Sequence, residues 1–293
     1  MLLPEFDFHD PVTLEEGLIL KNIYRENAKF LAGGTDILVH LKMKLAACNH
    51  LINLSKIKDL FQIKIENKSI TIGACITMSK LSTTDTIKDK FPALKSGVDN
   101  LGNHLIRNRA TIGGNVCNAS PAGDTLPALM VYDAVVLLES LDKRREIPIA
   151  QFFTGPGKTK IQNNEIMTGL RLPIPAKHSG ADYIQLGKRK SSEINIVNVA
   201  SFVEYDPKIK KIKNARITLG SVAATPIRSK KAEILLKNQI AKESLFSKAG
   251  ETARREDCKP MDDFRGSAEY RRAMIGVLTK RTLCAAFEQA RNT

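Results

Sequence analysis

Two glycine pairs, Gly33-Gly34 and Gly113-Gly114, constrain this sequence more than any other feature. The first follows a short apolar piece, Lys29-Phe30-Leu31-Ala32, and is itself followed by Thr35 and Asp36. The second stands in Thr111-Ile112-Gly113-Gly114-Asn115. Without a Cβ, paired glycines allow positive φ and let the backbone come close to a ligand. Successive free N–H groups beside a helix N-terminus suit an anion, and a pyrophosphate best of all. Thr35, Thr111 and Asn115 could add side-chain hydrogen bonds to phosphate oxygens. One such pair alone reads as turn punctuation. Two, each followed by small polar residues, weigh against that bland reading without excluding it.

The familiar nucleotide motifs are absent. Ala32-Gly33-Gly34 is not G-x-G-x-x-G, and Gly157-Lys158-Thr159 has Phe152 where a P-loop needs its first glycine.

The pattern around these segments mixes helices and strands. Thr13-Leu14-Glu15-Glu16 fits a capping box and opens a helix over about 13–25. A second helix is predicted through Ile37, Leu38, Leu41 and Leu45, and strands at 51–54, 63–65 and 69–74. Helical patterns return over about 77–101. Asp124 is placed to cap a short helix through Leu126 and Met130, and residues 134–139 read as a continuously buried strand. Pro173 and Pro175 mark a boundary. Beyond it, strands at 197–205 and 215–222 flank a turn at Asp206-Pro207, and a long helix starts near Ser267. The expectation is an α+β chain: two small lobes, 1–57 and 58–175, then a C-terminal domain at 178–293.

Composition excludes several classes. The 293 residues carry a formal charge of +14, but the basic residues are spread along the chain, Trp is absent and aromatics are few, so nucleic-acid binding is poorly supplied. The five cysteines are scattered and form no C-x-x-C pair, which argues for reduced thiols in a cytoplasmic protein, without a disulfide framework or metal site. No apolar run is long enough to span a membrane, and the N-terminus does not read as a secretory signal.

Several longer strings carry a resemblance. AGGTD at 32–36, RNRATIGGNVCNASPAGDTLPAL at 107–129, GSVAATPIR at 220–228 and EYRRAMIGVLTKR at 269–281 together resemble the flavin subunit of the xanthine dehydrogenase and carbon monoxide dehydrogenase group of molybdenum hydroxylases. The resemblance spans essentially the whole chain. It implies a vanillyl-alcohol-oxidase (PCMH)-type FAD-binding fold of two lobes, followed by a smaller domain particular to the group. It implies FAD, with its pyrophosphate between loops matching 29–36 and 111–115. It also implies that Asp124 binds the flavin or its ribityl chain, that Gly102 passes close to the flavin, and that Ser120 bonds a polar flavin atom. Met167 matches an apolar residue packed on the cofactor, against an equal reading as plain core. Gln185 stands where many relatives carry a lysine beside the adenine end, and Lys188 and Arg189 are nearby cations, with Lys158 a weaker candidate.

The resemblance further implies a relay. Electrons from 2Fe–2S clusters on a small subunit, supplied by a molybdopterin large subunit, would pass through this chain to an acceptor such as NAD, in a heterotrimer. No acid–base pair and no metal ligand set is expected of this chain. Two other readings stand beside it: a free-standing FAD-dependent oxidoreductase with its own substrate, and a basic binding module without cofactor. The small C-terminal region disfavours the first.

Overall fold

The capping box expected at Thr13 forms. Its hydroxyl accepts from the Glu16 amide at 3.1 Å, Glu16 returns a bond to the Thr13 amide, and α1 runs over Leu14–Tyr24. At the far end the buried Lys21 donates to the carbonyls of Arg25 at 2.6 Å and Ala28 at 2.7 Å. Burial, helped by the neighbouring Lys29 charge, pulls the Lys21 pKa down to about 8. These bonds close the helix and fix the start of the next strand.

The structure, a computed structural model, describes residues 2–189 and 192–293. In it β1 (Asp7–His9), β2 (Ala28–Leu31) and β3 (His50–Asn53) form a parallel sheet in the order β1-β3-β2. Parallel strands need crossovers, and α1 and α2 (Ile37–Lys42) supply them. Alternation along β2 sends Phe30 toward Leu18, Leu54 and Ile57, and Leu31 toward Leu41 and Leu51.

The second sheet uses β4 (Ile63–Ile65), β5 (Ser69–Gly73), β6 (Val135–Glu139) and β7 (Arg144–Pro148). A small hairpin of β8 (Phe153–Gly155) and β9 (Lys158–Thr159) precedes its last strand, β10 (Ile166–Pro173). The order is β4-β5-β10-β6-β7, antiparallel throughout. The strand expected to be continuously buried alternates instead: Val136 and Leu138 are buried, while Val135, Leu137 and Glu139 are half-buried. The reason is that helices cover one face only. These are α3 (Met78–Thr83), α4 (Asp85–Lys90), α5 (Pro92–Asn100), α7 (Ile112–Asn118), α8 (Leu126–Val131) and α9 (Ile149–Phe152), while the short α6 (His104–Arg107) buries no side chain. Thr84 and Pro92 break what the sequence shows as one helical stretch.

The third sheet is an antiparallel meander of β11 (Ser179–Leu186), β12 (Val197–Asp206), β13 (Lys211–Gly220) and β14 (Ile227–Arg228). One face packs on α10 (Lys230–Leu236), α11 (Glu243–Thr252) and α12 (Ala268–Asn292). Ser267 caps α12, its hydroxyl accepting from the Tyr270 amide at 3.1 Å. The other face sends Ala181, Tyr183, Ala200 and Phe202 into the core that also contains α5 and α8, so one helical layer serves two sheets. The fold is α+β, with the C-terminal sheet closing over the second lobe. Among the described residues no helix is long and apolar enough to cross a membrane, and all five cysteines are free.

Candidate cofactor site

β2 delivers the chain into the first glycine turn. At Gly34 φ is +79°, a conformation glycine adopts without strain, and the turn leads into α2. Gly33 is required for a different reason. A Cβ there would lie 2.0 Å from the Arg109 carbonyl oxygen and 3.1 Å from the Ala110 Cα. The first turn therefore rests, backbone on backbone, against the residues that enter the second. Asn118 adds a side-chain tie, its Nδ2 donating to Asp36 Oδ1 at 3.0 Å. Burial raises the Asp36 pKa, partly offset by His40 and the Thr35 hydroxyl. Among the described residues, the amides of Gly33, Gly34, Thr35 and Asp36 donate to no protein acceptor. The four residues are half-buried, and four unpaired amides in succession can meet an acceptor-rich ligand.

The second turn departs from expectation. Thr111 is an N-cap, and Gly113 and Gly114 lie in the first turn of α7, neither with positive φ. Its first amides are already committed: Ile112 to the Ile76 carbonyl at 3.0 Å, Gly113 to the Ala74 carbonyl at 2.9 Å, and Gly114 to the Thr111 hydroxyl at 3.1 Å. Gly113 serves packing, since a Cβ there would approach the Ala74 Cβ to 2.6 Å. A Cβ on Gly114 would meet the Thr111 hydroxyl at 2.9 Å and nothing else within 4 Å. This segment thus offers a bare backbone surface rather than free donors. The sequence shows the glycines but not that Ala74, just past β5, takes up the Gly113 amide and the Thr111 hydroxyl that of Gly114.

Asn115 accepts from the Thr125 hydroxyl at 2.6 Å, which folds residues 119–125 back along α7 and sets Asp124 beside this turn. Asp124 does not cap α8; the N-cap is Thr125, with no side-chain cap bond. The Asp124 carboxylate instead accepts from Asn195 Nδ2 at 2.7 Å and lies 3.4 Å from the Tyr183 hydroxyl. That hydroxyl accepts from Asn198 Nδ2 at 3.1 Å and is 3.5 Å from Gln185 Oε1. Burial dominates, outweighing the bonds from Asn195 and Tyr183 and lifting the Asp124 pKa to about 6. Burial and the adjacent carboxylate push the Tyr183 phenol well up. Gln185 therefore stands in the same cluster as Asp124, not apart from it.

Met167 sits at a bulge in β10, where register slips between Met167 and Gly169. It is buried, with its sulfur 3.5 Å from Cys117 Sγ on α7. Burial lifts the Cys117 thiol to about 12. Ser120 accepts from the Ala122 amide at 3.3 Å and borders a cavity of about 150 Å³ shared with Ser221, Asp263 and Arg265. The remaining expected residues are not drawn into this cluster. Lys29 is exposed, and Phe30, Leu31 and Ala32 pack against apolar clusters. At Gly102 φ is +53°, and a Cβ there would lie 3.1 Å from the Ile106 side chain. Lys188 donates to the Phe264 carbonyl at 2.9 Å, and Arg189 pairs with Glu193 at 2.9 Å. Lys158 is exposed on β9.

Sequence reasoning missed Asn118, Tyr183, Asn195 and Asn198. The available signal was polar residues inside an otherwise apolar strand, Asn198 and Ser201 in VNVASFV, which need internal partners. Asn195 lies in a loop and gave none. The free amides, the glycine contact at Gly33 and the polar cluster beside Asn115 together fit a dinucleotide carrying a diphosphate and a polar second half.

A family model described as the FAD binding domain in molybdopterin dehydrogenase matches residues 4–175. A second, the CO dehydrogenase flavoprotein C-terminal domain, matches residues 182–286. The chain is 31% identical over 288 residues to the carbon monoxide dehydrogenase medium chain of Hydrogenophaga pseudoflava, covering 98% of this chain and 99% of that one. It is 30% identical over 292 residues to a xanthine dehydrogenase FAD-binding subunit of Escherichia coli, covering 97% and 98%. Its fold superposes with a TM-score of 0.94, at 29% identity and 99% coverage of each chain, on a solved carbon monoxide dehydrogenase from Hydrogenophaga pseudoflava that lacks the Mo-pyranopterin moiety of the molybdenum cofactor.

Proposed function

Because the chain belongs to the FAD-binding medium-subunit family of the carbon monoxide dehydrogenase and xanthine dehydrogenase group of molybdenum hydroxylases, we propose that its glycine turns grip the diphosphate of FAD while the Asp124 cluster receives the flavin half. As an oxidoreductase subunit it binds and orients; substrate chemistry belongs to a partner chain. When bound, FAD accepts electrons singly and can release them as a pair, which suits a relay between one-electron clusters and a two-electron acceptor.

The residues divide the work. The amides of Gly33 to Asp36 meet phosphate oxygens, and Gly114 leaves room for close approach. Asp124, with its pKa near 6, accepts from a ligand hydroxyl or N–H when ionised and donates when protonated. Met167 and Cys117 back the wall of α7. The lobes run over 1–57 and 58–175, and the C-terminal domain over 178–293.

The partners in this reading are a 2Fe–2S small subunit and a molybdopterin large subunit, in a cytoplasmic heterotrimer that hands electrons to an acceptor such as NAD. The observation that carries it is the backbone contact of Gly33 with Arg109 beside four free amides. Co-purification of the natural complex with assays of flavin, iron and molybdenum tests it. Flavin on this chain and metals on the partners is the expected result. A chain that purifies alone, with flavin and an activity of its own, would establish the free-standing oxidoreductase instead; a colourless complex would sink both. Reduction of NAD by the substrate-reduced complex tests the acceptor separately.

A further inference from the structure

Asn195 has one end of its side chain satisfied and the other bare. Its Nδ2 donates to Asp124 Oδ1 at 2.7 Å and to the Ala122 carbonyl at 3.3 Å. A carbonyl can only accept, so Ala122 fixes the orientation of the amide whatever the protonation of Asp124. The opposite atom, Oδ1, is buried and has no partner among the described residues, on a residue with no exposed surface. An unmet buried acceptor costs about 1–3 kcal/mol.

The backbone around it is pinned. The Asn195 carbonyl accepts from the Ser221 hydroxyl at 3.3 Å and from Arg265 Nη1 at 3.4 Å. The Ile196 amide donates to the Leu186 carbonyl at 2.8 Å, and the Ile196 carbonyl accepts from the buried Arg271 at 2.5 Å. The side chain is thus held in place with its acceptor free. Asn198 Oδ1 is also unmet, but it is packed over Gly220, where an added Cβ would lie 1.8 Å from it. Asn195 is instead bonded to Asp124, which remains partly open to solvent.

Resting on the FAD reading above, we propose that Asn195 is a further binding and positioning residue. Its Oδ1 accepts a hydrogen bond from the flavin half of the cofactor, and its Nδ2 sets the Asp124 carboxylate against the same ligand. Two donors of the right class exist there, a ribityl hydroxyl and the ring imide N–H.

The test is calorimetric titration of the flavin-free full chain with FAD, ADP, riboflavin and lumiflavin, comparing wild type with Asn195→Ala. FAD and riboflavin should bind about tenfold more weakly to the variant, the loss of one hydrogen bond worth roughly 1.4 kcal/mol. ADP, which lacks the flavin half, should bind equally. Lumiflavin has no ribityl chain, so it loses affinity only if the ring N–H is the donor. The pH dependence of FAD binding should also shift, because Asp124 loses its partner. Asn195→Ser, a milder change, should show the same pattern if the alanine variant does not fold. Unchanged FAD affinity, as when a water fills the place, would overturn the assignment, and so would equal weakening of ADP and FAD. A wild-type chain that binds no FAD would overturn the functional reading as well, which keeps the two failures apart.

Discussion

Replacing Asp124 by Asn measures what the site takes from the stability of the fold. The carboxyl is held near pKa 6 instead of 3.8, chiefly because burial disfavours its charge. The gap of about two units corresponds to about 3 kcal/mol, at roughly 1.36 kcal/mol per unit. Since the folded-state pKa is the higher one, the folded chain binds the proton more tightly than the unfolded chain. That advantage is complete below pH 3.8 and is lost as pH rises through about 6. At neutral pH an ionised Asp124 therefore burdens the flavin-free chain by up to about 3 kcal/mol. Asn keeps an oxygen for Asn195 Nδ2 and carries no charge. In urea unfolding of the flavin-free protein, Asp124→Asn should be more stable than wild type by about 2–3 kcal/mol near pH 7.5. The difference should shrink to nearly nothing by about pH 4. Parallel stability curves for the two proteins across this range would refute the reasoning. Where a flavin hydroxyl donates to the ionised carboxylate, wild-type FAD affinity should also weaken as pH falls below about 6.

Gly33→Ala should force the first turn off the Arg109 carbonyl, destabilising the chain by about 1–3 kcal/mol and sharply lowering bound flavin. Flavin absorbance per chain and a thermal melt read both effects, and a fully yellow variant with an unchanged melt would contradict the contact. Arg145→Ala should destabilise the chain by about 3 kcal/mol. It strands Glu165, a side chain only 1% exposed that also accepts from the Gln162 amide at 2.7 Å. Arg145→Met with Glu165→Leu should recover most of that loss, and a double variant no more stable than the single one would show that the buried charge is not its source.

Much of the fold was legible because its signals are local. The capping box at Thr13, the strand at Ile63–Ile65, the turn after Asp206 and the start of the last helix near Ser267 each depend on neighbours in the chain. β1 escaped notice because Asp7–His9 has little apolar alternation and gains its place from β3, far away in sequence; β7 did so because Arg144–Pro148 buries only Ile147 and is held at the sheet edge by its hairpin with β6. The same distinction divides the site. Gly33 and Gly34 announce a turn, but only the folded chain shows that Arg109 fills the space beside Gly33. Gly113 and Gly114 were legible as residues and misread as conformation, since their amides go to Ala74 and to Thr111, one of them in another element. Asp124 could have been a cap by local rules. Asn195, some seventy residues later, draws the carboxylate elsewhere.

The meeting of Gly33 with Arg109 also governs how the molecule comes apart. It is main chain against main chain, so a side chain added at position 33 breaks it outright and does not tune it by small steps. If the two turns grip the diphosphate as proposed, whatever pries the first sheet from the second must break that grip in the same motion. Release of the cofactor and detachment of the first lobe should then be a single cooperative event, with bound FAD acting as a rivet between halves that would otherwise breathe independently.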